Sequence, residues 1–136
     1  MNCRGIFINN LSPTRDDKGY IELNKEMPFQ KRELFKQDKV ISQRVKILND
    51  LLQKLSNKGI QVALVISPSY YAFSGNDPSI KIIENLTQKY KNTQLVNYEN
   101  NPLFDDHKLY WNVNHLNKEG ASKFSNDIFD KLVKAQ

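Results

Sequence analysis

Cysteine occurs once in these 136 residues, at Cys3, so no disulfide can form within the chain. No apolar run approaches the roughly 20 residues of a membrane-spanning helix. The opening residues, MNCRGIFINN, do not contain the long apolar stretch of a signal peptide, so no export signal is expected in this chain. No internal repeat or low-complexity linker is visible. There is also no basic block. The formal net charge is +5, but the lysines are scattered along amphipathic segments. Solvated helix faces account for Lys46, Lys54 and Lys58, and with no recognised binding motif a nucleic-acid partner is not expected.

Hydrophobic residues make up 39% of the chain and charged residues 26%, a balance that is neither disordered nor membrane-like. The length fits one domain, large enough to bury about two-thirds of the surface of its unfolded chain.

Helical spacing is clearest from Asp38 onward, where Ile41, Val45, Leu48, Leu52 and Leu55 share one face. Asp38 is the expected N-cap, and NKG, ending at Gly59, is the expected stop. The run IQVALVI, residues 60–66, is short, β-branched and almost continuously apolar. It reads as a strand buried on both faces, ended by Ser67-Pro68. Asp77-Pro78 then opens a second helix, with Asp as cap and Pro at the first position. QLVNY, residues 94–98, reads as a second strand. A polar loop follows from Glu99 to Asn114. Asn117 caps a last helix that carries Ala121, Phe124, Ile128 and Leu132 on one face.

The α-β-α-β-α order over residues 38–136 is the pattern of a parallel sheet covered by helices. Two strands are few for such a sheet. In residues 1–37, GIFIN and GYIEL can form an edge hairpin around LSPTRDDK, and the stretch from Asn24 to Lys36 reads as irregular or partly helical.

His115 is one of only two histidines. In an open α/β sheet, sites form outside the carboxyl ends of the strands, and the loops 67–76 and 99–114 both leave such ends. His115 closes the second loop. Imidazole holds or releases a proton near neutral pH, as a general base must. The plainer alternative is an imidazole that only hydrogen-bonds its own loop. Ser67 and Ser69 lie at a strand end and could approach His115, although a Ser-Pro there is usually punctuation. Asp105, Asp106, His107 and His115 offer metal-ligand donor types, but their spacing matches no standard pattern, so solvated loop charges are expected and no metal. Tyr70, Tyr71, Phe73, Tyr110 and Trp111 can line a carbohydrate or acyl pocket, or can pack the loops onto the sheet.

The block NVNHLNKEGASKFS resembles the final block of SGNH (GDSL-type) hydrolases. In that family an Asp, two variable residues and the catalytic His are commonly followed by Leu-Asn, two residues and Gly-Ala. His115, Leu116, Asn117, Gly120 and Ala121 fit in register. The resemblance covers about 100 residues, from Asp38 to the end. It implies a flavodoxin-like three-layer α/β/α fold with a parallel sheet, and hydrolysis of an acyl or O-acetyl ester, carbohydrate-linked in some members. It implies no cofactor. Members are often exported or membrane-anchored.

Two departures change what the resemblance implies. The family's nucleophile lies in a Gly-Asp-Ser segment after the first strand, and separate Gly and Asn blocks complete its oxyanion hole; this chain contains none of them. The order of elements implies that the N-terminal half is missing, to be supplied by another segment or chain, or that self-association covers the exposed sheet. Asn112 also stands where the family has Asp. Asn can hydrogen-bond the imidazole, but it brings no charge and can select the wrong tautomer. The expected function is therefore an SGNH-like ester-hydrolase site inactive in this chain alone, with catalytic positions His115 and Asn112. The alternative is a non-catalytic relic or carbohydrate-binding module.

Overall fold

The computed structural model describes residues 23–35, 40–75 and 77–134. The expected GIFIN–GYIEL hairpin falls largely outside them, as does Asp38.

The first helix, α1, is Ser42–Asn57, with Ile41 in the N-cap position and no side-chain cap. It therefore starts later than the Asp38 cap implies. The apolar stripe rather than a cap anchors it, because Leu48 and Leu52 are held in a cluster with Val62, Leu64, Leu86 and Tyr90. It stops where NKG predicts: Gly59 takes φ +68°, a left-handed conformation suited to glycine, and its N–H closes on the Ser56 carbonyl.

Strand β1 is Val62–Ile66, two residues shorter than IQVALVI. Helix α2, Pro78–Lys89, begins as expected: the Asp77 carboxylate accepts from the Ser79 N–H at 2.7 Å, and proline opens the first turn. Strand β2 is Thr93–Asn97, and it pairs with β1 in parallel, Leu64 opposite Leu95. The parallel pair with a crossover helix is thus present. The result is an α/β mix built on a two-stranded parallel ribbon.

Side chains alternate across a strand, and the ribbon uses both faces. Val62 and Leu64 pack with Leu48 and Leu52 of α1 and with Ile82, Leu86 and Tyr90 around α2. Val96, one position out of phase with Leu95, packs into a second cluster. There Phe124 and Ile128 of α3, Lys118–Lys134, meet Tyr98, Phe104 and Tyr110. β1 is not buried on both faces, contrary to its composition: Val65 is 38% exposed, because no element among the described residues covers it.

Residues 99–114 are not a plain loop. They form two 3₁₀ turns, Pro102–Phe104 and His107–Leu109, and strand β3, Tyr110–Asn112. β3 pairs antiparallel with β4, His115–Leu116. The sequence hid this hairpin because its strands are only three and two residues long. Asn101 and Asp106 start the two turns by accepting from the N–H two residues on.

The segment 23–35 is irregular, the first of the two readings of its sequence; it carries no helix. It crosses the molecule as a strap. The Lys118 N–H donates to the Leu23 carbonyl at 2.8 Å, the Met27 N–H to the Tyr110 carbonyl at 2.6 Å, and Leu34 bridges to Ala72. Met27 is buried in the same cluster as Tyr110. No helix among the described residues is long and apolar enough to cross a membrane.

Candidate functional site

The β3–β4 hairpin stands beyond the carboxyl ends of β1 and β2. It is tied to the loop after β1 by a 2.8 Å hydrogen bond from the Tyr70 N–H to the Val113 carbonyl. Asn112 ends β3 and His115 opens β4, so the two residues face each other across a tight turn.

One atom organises that turn. Asn112 Oδ1 accepts from the Asn114 N–H at 2.9 Å and from the His115 N–H at 3.0 Å. The same oxygen lies 2.9 Å from His115 Nδ1. The two backbone donors require the oxygen of the amide, not its NH₂, to face inward. The ring nitrogen beside it must then be the N–H donor, which leaves Nε2 with its lone pair free. An amide oxygen in this position favours the tautomer protonated on Nδ1, the one a general base needs.

His115 is solvent-exposed, and Trp111 stands beside it edge-on with ring centroids 6.3 Å apart. Trp111 is itself 42% exposed. Among the described residues no serine hydroxyl hydrogen-bonds the free ring nitrogen. Ser69 is buried, with its Oγ unpartnered in the protein. It makes no hydrogen bond to the imidazole.

The other aromatic residues divide. Tyr70 and Tyr110 are buried against each other with ring centroids 5.4 Å apart. They pack the loops onto the ribbon, which is the second of the two roles open to them. Burial pushes the Tyr110 hydroxyl far above its ordinary pKa, and that hydroxyl donates to the Phe104 carbonyl at 3.0 Å. Tyr71 and Phe73 instead meet Phe35 of the strap.

The acidic and histidine side chains of the 105–107 stretch have local partners. Asp105 pairs with Arg32 at 2.5 Å, and Asp106 caps the turn at Lys108 and lies 3.5 Å from His107 Nδ1. Phe29 packs edge-on against His107. No group of three His, Cys, Asp or Glu side chains suited to a metal ion occurs among the described residues.

Arg32 was not legible as a site-forming residue. Its guanidinium bridges three places: Asp105, the Tyr71 carbonyl at 2.7 Å, and the Tyr70 ring at 5.5 Å. These partners lie 39 and 73 residues away for the hydrogen bonds, so no local pattern marks them. A polar groove of about 800 Å³ runs between the strap and the first turns of α3, lined by Glu26, Lys118, Ser122 and Asn126 among others. His115 does not line it.

Comparison of the chain with protein-family models, with curated proteins and with solved structures finds no match.

Proposed function

We propose that Asn112 and His115 are the acid–base half of an SGNH-type ester-hydrolase site, and that this chain alone does not turn over esters. One observation carries the reading: a solvent-facing imidazole whose Nδ1 lies 2.9 Å from an amide oxygen held in place by two backbone N–H groups. That arrangement holds one ring nitrogen and leaves the other open to solvent, as a base requires. The helices on both faces of the parallel ribbon support a flavodoxin-like three-layer arrangement as the fold behind the site.

The chemistry follows from the free Nε2. A serine hydroxyl brought to it would lose its proton to His115 while its oxygen attacks the acyl carbon. His115 would then pass that proton to the departing alcohol, and water would repeat the cycle on the acyl-enzyme. Asn112 would keep hold of Nδ1–H throughout. As a neutral group it stabilises the imidazolium less than a carboxylate does. The change from Asp to Asn costs about 10⁴ in turnover where it also imposes the wrong tautomer. With the tautomer correct, the penalty here is the loss of charge alone.

A second reading, a non-catalytic carbohydrate-binding relic, has its own support. No hydroxyl among the described residues meets Nε2, and an exposed Trp beside an exposed imidazole offers a flat surface for a sugar ring.

The deciding experiment pairs turnover with binding. Small acyl esters should give no rate above that of His115→Ala. An acetylated oligosaccharide should shift the ring resonances of His115 and Trp111 in an NMR titration. The deacetylated sugar binding equally well would favour the relic. No shift with any acyl ester would sink the hydrolase reading, and a rate abolished by His115→Ala would reveal a working nucleophile in this chain.

A further inference from the structure

The loop after β1 is held by four different partners over four consecutive residues. The Tyr70 N–H donates to the Val113 carbonyl at 2.8 Å. The Tyr71 carbonyl accepts from Arg32 at 2.7 Å. Ala72 pairs with the strap on either side of Leu34: its N–H donates to the Glu33 carbonyl at 2.9 Å, and its carbonyl accepts from the Phe35 N–H at 2.8 Å. At Phe73 the Asn100 amide takes the place of a neighbouring strand, accepting from the N–H at 3.0 Å and donating to the carbonyl at 2.9 Å. A segment tied in this way opens only when several of these bonds open together.

The first of these bonds reaches the candidate site. Val113 lies between Asn112 and His115, so its carbonyl belongs to the turn whose N–H groups bind Asn112 Oδ1. Asn112 Oδ1 fixes that turn from inside, and Tyr70 fixes it from outside. Arg32 acts on the same piece of chain. Its guanidinium donates to the Tyr71 carbonyl and lies over the Tyr70 ring at 5.5 Å, so it seats both the residue that grips the turn and the one after it. Its other arm reaches Asp105 at 2.5 Å. A planar fork serves carbonyl and carboxylate at once, where an ammonium on a flexible stem is a single point of charge. The strap that carries Arg32 also meets the start of β3, where the Met27 N–H donates to the Tyr110 carbonyl. The hairpin is therefore gripped from the strap twice: at Tyr110 directly, and at Val113 through Arg32 and Tyr70.

We propose that Arg32 is a positioning residue for His115, acting through Tyr70 and the Val113 carbonyl to hold the turn that presents Nε2. The inference rests on the reading of Asn112 and His115 as an acid–base pair. The Tyr71 carbonyl bond carries the effect more than the ion pair does, because the Asp105 side chain is 53% exposed and water and salt screen that pair.

Nitrogen-15 NMR of the full chain, at a pH where His115 is neutral, tests the proposal. The wild-type ring should be chiefly protonated on Nδ1. Arg32→Ala should lower the ratio of that tautomer to the other at least about threefold, because the hydrogen bond at Nδ1 sets it. It should also speed exchange of the Asn114 and His115 amides about tenfold. Asp105→Asn, which spares the carbonyl bond, should lower the ratio less. Leu86→Ala lies in the separate cluster around α1 and α2, so it costs stability but should leave the tautomer at its wild-type ratio. A wild-type ratio in Arg32→Ala would overturn the proposal, and so would an equal fall in Leu86→Ala; the acid–base reading would survive either result. A wild-type ring with no preference for Nδ1 would remove both. Circular dichroism checks folding. If Arg32→Ala is unfolded, Arg32→Lys, which keeps the charge without the fork, decides in its place: the ratio should fall by a smaller factor, and an unchanged ratio overturns the proposal.

Discussion

Gly120 lies against the carbonyl group of Leu109, so close that a β-carbon there would overlap the carbonyl oxygen and sit 2.9 Å from Leu116 Cδ2. This contact seats the first turn of α3 on the 3₁₀ turn before β3, and it explains the glycine of HLNKEG by space rather than backbone freedom. Gly120→Ala should therefore destabilise the fold by about 1–3 kcal/mol through overpacking. Helix propensity alone predicts a gain of about 1 kcal/mol. A thermal melt separates the two, because they have opposite signs.

Asn117, three residues earlier, is buried and uses both ends of its amide. Its Oδ1 accepts from the Gly120 N–H at 3.0 Å, and its Nδ2 donates to the Lys108 carbonyl at 2.6 Å. Asn117→Ala removes the cap and leaves the Lys108 carbonyl without that donor, a loss of about 2–3 kcal/mol. Asn117→Asp keeps the acceptor and should recover part of it. Urea unfolding of the three proteins checks the order.

Stability should fall on the alkaline side. Tyr98 Oη donates to Asp127 at 2.5 Å, and Lys131 meets the same carboxylate at 2.7 Å. Burial first, then the Asp127 bond, raises the Tyr98 pKa; the Asp127 bond chiefly raises that of Lys131. Burial also raises Tyr110. All three hold their protons more tightly folded than unfolded. Their stabilisation is complete below the unfolded pKa values of about 10 and is lost as pH rises through the folded ones. The melting temperature should hold steady from about pH 7 to pH 9 and drop beyond about pH 10. Tyr98→Phe should soften that drop while lowering stability at neutral pH.

The imidazole of His115 should be protonated on Nδ1 when neutral, which ¹⁵N chemical shifts report directly. Asn112→Ala should abolish that preference. Asn112→Asp should keep it, since a carboxylate oxygen accepts from the same ring N–H. A tautomer preference unmoved by Asn112→Ala would mean that residue 112 does not govern the ring.

Much of the scaffold was legible because its signals are local. The helical stripe of α1, the stop at Gly59, the Asp77-Pro78 start and the Asn117 cap all depend on residues a turn apart. The apolar runs of β1 and β2 mark strands for the same reason. The start of α1 was misplaced because no side chain caps it, and the packing that anchors the helix comes at Leu48 and Leu52. The β3–β4 hairpin escaped notice because strands of three and two residues are too short to show an alternating pattern.

The candidate site divides along the same line. Residue type and spacing brought His115 and Asn112 together as a pair, since three residues of chain can close only so far. Which atom of the amide meets the ring was decided by two backbone N–H groups in a turn that exists only once β3 and β4 pair. Arg32 became part of the site's support because the strap crosses to Asp105, a contact made across 73 residues of chain. The same holds for Ile47 and Leu51 of α1. The sequence states that they are apolar, but their exposure follows from where α2 and β2 lie. Local chemistry, set by bonds a few residues long, was determined by the sequence itself. Which faces are covered, and where the strap crosses, depended on long-range packing that no local pattern encodes.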